Sequence, residues 1–383
     1  MSERRRRRTS WVIRGLHTKL YIKWYLAGTD GRGMSKSTKK SGGAQRLRTW
    51  IGGISLHALL AVLAAAAVAP GFAVDRWRPA MALTYAPRVV LAVTAVILAT
   101  VFLLRRRPRR ALTATLAAVL LVAQLGWGGG ARDVTDDALT VMTCNVAHET
   151  GNAQRLARVV AEQDVDVLCL QEVQPPERQA FVTALSDYHF VWADEQERFE
   201  HDDFGPFSSM IGVRRSLLSD TPDVETAITG YRTFAARVEL AGEPLWIVNV
   251  HTTKPLWLEG GPVDLVARAS EKAAWHTGER DQLVDWLDAH RDEAVLVAGD
   301  FNAPTGSHNL RLPGLRQAQA EVGSGWHRTF PRAFPLWALD HVLVNDGVVL
   351  ESCETIDAEL GDHLAVRVGF SLRAIGQELV AKS

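Results

Sequence analysis

The chain has 383 residues, and its 43 lysines and arginines are balanced by 43 aspartates and glutamates. The balance is a cancellation: through Asp137 there are 23 basic against 6 acidic side chains, about +17, and from Ala138 onward 20 against 37, about −17. Two halves so unlike exclude a chain of one physical character, and the acidic half disfavours a protein that binds nucleic acid by neutralising its phosphates.

Residues 1–50 hold 14 lysines and arginines, including the run Arg4–Arg8, and read as a basic, disordered cytoplasmic tail. Residues 51–127 read as a membrane region. From Ile51 to Val74 only His57 interrupts an apolar run, and roughly 20 such residues span a bilayer. Two further spans are expected at 86–104 and 111–127, the last near the minimum length. The first run lies too far from Met1 for a cleaved signal peptide. The loop from Arg105 to Arg110 holds five arginines in six positions, whereas the turn from Asp75 to Tyr85 holds only Arg76 and Arg78. By the positive-inside rule the tail and the arginine loop are cytoplasmic, and everything after Trp127 lies outside the cytoplasmic membrane.

After a linker at 128–137, residues 138–372 suit one large α/β domain, followed by a tail at 373–383. Leu139–Val146 alternates as a strand, and Asn152–Gln163 puts Leu156, Val159 and Val160 on one helical face. Val165–Leu170 is apolar throughout, as a buried strand is. Ser208–Val213, Phe234–Leu240 and Leu245–Val250 read as strands, and Val266–His290 as a long helix with Leu283, Trp286 and Leu287 inward. Ala294–Ala298, Ala338–Val344, Val348–Ile356 and Leu364–Leu372 complete a pattern of stacked sheets flanked by helices. Cys144, Cys169 and Cys353 fall within these strands and read as core thiols, with no CxxC pair to form a zinc site and a Cys144–Cys169 disulfide disfavoured.

Polar residues close several of the apolar runs. Glu172 follows Val165–Leu170, Asp300 follows Ala294–Ala298, and Asp340 follows Trp337–Leu339, so carboxylates recur at strand ends that can share one rim. Six short stretches, Thr143-Cys144-Asn145, Leu170-Gln171-Glu172, Asn249-Val250-His251, Gly299-Asp300-Phe301-Asn302, Leu339-Asp340-His341 and Gly361-Asp362-His363, resemble in order and spacing the endonuclease/exonuclease/phosphatase superfamily. The resemblance covers roughly Ala138–Leu372 and implies a four-layer α/β sandwich, two mixed sheets face to face with helices outside. Gly361 departs from the family pattern, which has Ser there, and the expected cost is one hydrogen bond.

The resemblance implies a metal-dependent hydrolase of phosphate esters. Glu172 is the principal expected ligand of Mg²⁺, or Mn²⁺, with Asn145 in support and Asp362 adding a carboxylate directly or through water. Asp300 and Asn302 are expected to hold the attacking water or the phosphoryl oxygens. His363 is expected to contact the phosphate as acid or base, with Asp340 fixing its tautomer, and His251 is a second phosphate-facing imidazole. His341, next to Asp340 on a strand, points by alternation to the opposite face and reads as structural.

Charge bears on the substrate. The acidic domain makes DNA a poor first choice, whereas the apolar segments Pro255–Leu258 and Phe330–Trp337 beside the site suggest a wall for a lipid tail; ordinary packing is their alternative reading. Three spans joined to such a domain also look like the teicoplanin-resistance membrane proteins of actinomycetes, which implies a lipid-linked phosphate such as undecaprenyl diphosphate, hydrolysed outside the cytoplasm. The alternatives are a membrane-tethered nuclease using Arg214, Arg215, Arg232 and Arg237, and a sphingomyelinase-like phosphodiesterase. The bilayer and the phosphate ester are the expected partners, and no protein partner is inferred.

Overall fold

Along the strands of the acidic half, alternate residues fall on opposite faces, and this sorts the domain into layers. The computed structural model describes residues 56–68, 84–125, 138–147, 151–192, 208–220, 222–225, 232–254 and 262–373, together with residues 130, 135 and 228. The basic tail, the outer parts of the expected first span, the segment Pro255–Leu258 and nearly all of the C-terminal tail lie outside the described residues. A helical run over residues 56–68 precedes α1 (Arg88–Leu104) and α2 (Pro108–Ala123). The acidic half then follows as β1 (Leu139–Asn145), α3 (Ala153–Glu162), β2 (Val167–Val173), α4 (Pro175–Ala184), β3 (Tyr188–Trp192), β4 (Ser208–Arg214), β5 (Asp223–Glu225), β6 (Phe234–Leu240) and β7 (Glu243–His251). It ends with α5 (Pro262–Ala289), β8 (Val295–Asp300), β9 (Arg316–Gln317), α6 (Ala318–Glu321), β10 (Asp340–Val344), β11 (Val348–Ile356) and β12 (Ala365–Leu372).

The strands form two six-stranded sheets, ordered β11-β12-β1-β2-β4-β3 and β5-β6-β7-β8-β10-β9. Each is mixed, because β1 pairs β2 and β7 pairs β8 in parallel while the other pairings are antiparallel. Val141, Val167, Cys169, Ile211, Phe234, Ile247, Leu296, Val342 and Val368 fill the space between the sheets. Met142, Leu168 and Leu170 face the opposite way and pack with Leu156 and Val160 of α3 and Phe181 of α4. On the other sheet, Val248, Val295 and Val297 pack with Leu283 and Leu287 of α5. The order of layers is helix, sheet, sheet, helix, the sandwich expected from the sequence. The same alternation separates Cys144, in the outer layer, from Cys169, between the sheets, and all three cysteines are free thiols.

Several elements carry weak sequence signals and emerge only in the structure. The helix α4 begins at Pro175-Pro176, where proline suits a first turn, and buries only Phe181. The edge strand β3 is five residues long, and β5 and β9 are shorter still.

The helices before the sandwich depart from the expected spans. α1 has 17 residues and α2 has 16, and among the described residues no helix is long and apolar enough to cross a membrane. Their side chains are nevertheless sorted inside out. Ala92 and Ala95 of α1 and Ala111, Ala114, Ala117 and Ala118 of α2 are buried together with Leu98, Phe102 and Leu121, while Val90, Val93, Val96, Ile97, Leu112, Leu116, Val119 and Val122 are exposed. The helices turn at Arg105–Arg107. Their open end is tied together by Arg88, which donates to the carbonyls of Ala66 (2.7 Å) and Thr84 (3.3 Å), and by the Gln124 amide, which donates to Ala67.

Candidate active site

The inner rows of both sheets run from apolar residues, through a polar layer, to the candidate site. On β1 the row is Val141, Thr143, Asn145; on β2 it is Val167, Cys169, Gln171; on β7 it is Ile247, Asn249, His251; on β8 it is Leu296, Ala298, Asp300. Gln171 and Asn249 bridge the sheets: Gln171 Nε2 donates to Asn249 Oδ1 at 2.7 Å and to Thr143 Oγ1 at 3.0 Å. Asn249 Nδ2 in turn donates to the carbonyls of Leu170 (3.0 Å) and Met210 (2.8 Å) in the opposite sheet. This buried, mutually bonded pair fixes the distance between the strands that carry Glu172 and His251.

Alternation alone would turn Glu172 away from Gln171 and out of the site. The chain prevents this by placing Glu172 in the left-handed region at φ 57°, beside an irregularity in the β2–β4 pairing. Asn302 is likewise left-handed, at φ 46°. Such backbone is disfavoured for residues with a Cβ and is concentrated at functional sites. Two glycines serve the same corner. Gly299 lets β8 lie against β7, since a Cβ there would sit 1.9 Å from the Val250 carbonyl oxygen. Gly361 has φ 54°, and a Cβ would meet Ala147 Cβ and the Asn145 carbonyl oxygen at 2.9 Å. The departure from serine at 361 therefore belongs to a tight approach beneath Asn145.

Six of the eight expected residues meet in one buried cluster. Asn145 Nδ2 donates to Glu172 Oε1 at 3.1 Å and to Asp300 Oδ2 at 3.0 Å, while Asn145 Oδ1 accepts from the Ala147 N–H at 2.9 Å. In this arrangement Asn145 spaces two carboxylates. His251 Nε2 lies 3.4 Å from Glu172 Oε1. His363 Nδ1 lies 2.8 Å from Asp340 Oδ2, and its Nε2 is 3.9 Å from Asp300 Oδ2. Asn302 sits alongside, its N–H donating to Asp300 Oδ1 at 2.8 Å and its Nδ2 to the Thr252 carbonyl at 2.8 Å. Asp362 is at the rim, with its side chain half exposed and 3.9 Å from His363 Nε2.

The electrostatics follow from the buried carboxylates of Glu172, Asp300 and Asp340, with Asp362 at the rim. Burial is the largest influence on His363 and opposes its charge, yet Asp340, Asp300 and Asp362 outweigh it and raise the imidazole to about 9. Lys254 reaches Glu172 Oε1 at 3.4 Å. Its burial also works against charge, and Glu172, Asp300 and Asp362 hold it above its ordinary value nonetheless. His341 behaves oppositely: wholly buried on the other face, it is pushed down to about 4 and is neutral. Its Nε2 donates to the Ala303 carbonyl at 3.0 Å and its Nδ1 accepts from Gln317 Nε2 at 2.7 Å.

The donor set suits a hard divalent cation. Ligand atoms of Glu172, His251 and Asp300 lie within 4.8 Å of one another, as do those of Asp300, Asp340 and His363. Asp340 Oδ1 and His363 Nε2 are buried without a hydrogen-bond partner, which is costly unless an ion or substrate oxygen completes them.

Four supporting residues carry no motif of their own. Thr329 Oγ1 accepts the N–H groups of Leu339 (3.1 Å) and Asp340 (3.3 Å). Thr252 and His276 pack behind Phe301, with Thr252 Oγ1 3.0 Å from His276 Nε2. Lys254, three residues after His251, is the one that the sequence could have offered, as the first cation following a strand-end histidine. On the far side of the site Phe330 lies 4.8 Å from the His363 ring and 6.1 Å from that of Trp337. The apolar segment Phe330–Trp337 therefore does reach the site.

The model of the Endonuclease/Exonuclease/phosphatase family matches residues 142–363, a stretch that contains every residue of this cluster. Among solved structures, the chain is similar to an endonuclease/exonuclease/phosphatase of Bacteroides vulgatus, with 15% identity, 62% of this chain and 100% of that one covered, and a TM-score of 0.47. It is also similar to a humanized D. rerio TDP2, at 20% identity over 61% of this chain and 99% of that one, with a TM-score of 0.46. For a mannosyl-6-phosphatase of Bacteroides thetaiotaomicron the values are 15%, 61% and 100%, with a TM-score of 0.45. No curated protein matches.

Proposed function

From the premise that this chain belongs to the Endonuclease/Exonuclease/phosphatase family, we propose that it is a membrane-bound, metal-dependent phosphoesterase acting on a lipid-linked phosphate. Undecaprenyl diphosphate, on the extracytoplasmic face, is the substrate that the likeness to teicoplanin-resistance membrane proteins suggests. The observation that carries the membrane part is the inverted hairpin. Alanines make up most of the inward face of α1 and α2, joined by Leu98, Phe102 and Leu121, while most of the Val, Ile and Leu side chains face outward, as in helices whose solvent is hydrocarbon. The arginine-rich turn also lies at the end of the hairpin remote from the sandwich, a separation of roughly 26 Å at 1.5 Å per residue. That arrangement favours an inside turn and an outside site.

The chemistry follows from the cluster. Glu172, with Asn145 and Asp362 at hand, would hold Mg²⁺, whose role when bound is to neutralise non-bridging phosphate oxygens. Asp300 and Asn302 orient the attacking water, Asp300 through the carboxylate that Asn145 and the Asn302 N–H hold in place. His363, kept charged by Asp340, presents Nε2 to the phosphoryl group, and His251 and Lys254 approach from the opposite side.

The nuclease alternative loses support from its own cations. Arg214 is paired with Asp164 at 2.6 Å and Asp166 at 3.3 Å, and Arg237 with Glu293 at 3.6 Å, so each presents its charge beside a carboxylate that opposes a phosphate. The decisive experiment incubates full-length protein in micelles with Mg²⁺ and undecaprenyl diphosphate. Release of inorganic phosphate, lost in Asp300→Asn, is expected. Rapid hydrolysis of DNA or sphingomyelin with none of the polyprenyl diphosphate would overturn the reading.

A further inference from the structure

The catalytic loop is held partly by a residue that lies outside the family domain. Tyr85, just before α1, is buried and precedes by far the first matched residue, Met142. Its hydroxyl donates to the backbone carbonyl of Asn302 at 3.1 Å and lies 3.5 Å from His276 Nδ1. Its own carbonyl accepts from the Trp337 indole N–H at 2.8 Å.

These contacts land on a segment with left-handed backbone at Asn302, and strained residues of this kind persist only when their surroundings over-determine them. The loop's other grips come from within the domain: Phe301 N–H donates to Leu339 O at 3.0 Å, and His276 Nε2 donates to Phe301 O at 2.9 Å. His276 is itself fixed by Asn309, whose Nδ2 donates to Nδ1 at 3.1 Å. Tyr85 takes the next carbonyl in line. Through Trp337 and Phe330 the same short segment also reaches the ring against His363.

We propose that Tyr85 is a positioning residue for the reaction, holding Asp300–Asn302 from the helical hairpin, so that hairpin and sandwich form one catalytic unit. The inference does not depend on which phosphate ester is cleaved. Removing the hydroxyl leaves the Asn302 carbonyl without this donor while keeping the ring in its place, so the loop loosens and the fold remains.

The test uses full-length protein in micelles, with Tyr85→Phe and, separately, Trp337→Phe. Hydrogen exchange is followed on the peptide covering residues 300–303, and kcat and KM are measured on bis(4-nitrophenyl) phosphate with Mg²⁺. For Tyr85→Phe, exchange at 300–303 should quicken at least fivefold with β1, β2 and β7 unchanged, and kcat should fall about tenfold with KM within twofold. Trp337→Phe should shift both readouts in the same direction, and the double variant should add less than the two single effects combined. Exchange and kcat both within twofold of wild type would overturn the proposal. So would uniformly faster exchange across the sandwich, which marks a merely structural role. Exchange needs no substrate, so failure of the lipid-phosphate reading leaves this test intact.

Discussion

At the scale of single residues, the pair His363–Asp340 governs the site's charge. Asp340 is the strongest of the carboxylates that keep His363 up at about 9, against the opposing pull of burial. Asp340→Asn should therefore lower kcat by roughly 100-fold and move the alkaline limb of its pH profile to lower pH, since the imidazolium loses its partner; an unmoved limb would show that His363 does not act as the charged form. The neighbouring His341 gives the opposite pH signature. Its value of about 4 lies below the ordinary 6.5, so the unfolded chain takes up a proton first. Stability is full above pH 6.5 and falls as pH drops towards 4, by roughly 3 kcal/mol for this group. In His341→Gln the acid-side decline measured by urea unfolding between those limits should be shallower. The roles of these two neighbours could be separated from sequence, because alternation on one strand puts Asp340 and His341 on opposite faces. Glu172 defeats the same rule: only its left-handed backbone returns it to the site, and nothing in Gln171-Glu172-Val173 announces that dihedral.

At the scale of elements, the polar layer between the sheets does for the site what caps do for helices. Asn249 and Gln171 satisfy each other and two carbonyls of the facing sheet, so the strands bearing His251 and Glu172 cannot slide independently. Asn249→Leu removes the Nδ2 donor to the Leu170 and Met210 carbonyls and one of the acceptors of Gln171 Nε2, which keeps Thr143 and the Cys169 carbonyl. It should cost about 3 kcal/mol in urea unfolding. A loss below about 1 kcal/mol would mean that the sheets hold their spacing by apolar packing alone. The main strands and the long helix were legible because their apolar periods are strong. The helix α4 and the strands β3, β5 and β9 were not, since each is short and draws its stability from a neighbour rather than from its own pattern. The second and third expected spans overlap α1 and α2, but neither helix is long and apolar enough to cross a membrane, because helix ends are set by Pro108, by the Arg105–Arg107 turn and by the ties at Arg88 and Gln124.

At the scale of the whole molecule, opposite charges are kept apart: an arginine-rich turn at one end, and a net-negative domain with buried carboxylates at the other. His363 and Lys254 offset the carboxylates only in part, since Asp340 Oδ1 remains buried without a partner. Adding Mg²⁺ to metal-free protein should accordingly raise Tm, by the equivalent of about 2.7 kcal/mol at a hundredfold excess over Kd, and Glu172→Gln should abolish most of the rise. A Tm indifferent to Mg²⁺ would sink the metal assignment. An alkaline phosphatase fused after Leu372 should be active in cells if the sandwich is extracytoplasmic; an inactive but well-expressed fusion would reverse that orientation. The hairpin's open end, finally, has a consequence for anyone who wishes to work with a soluble fragment. A chain cut at Ala138 would keep every family motif and still leave behind the Tyr85 hydroxyl, so its turnover would be a lower bound set by the scissors rather than by the enzyme.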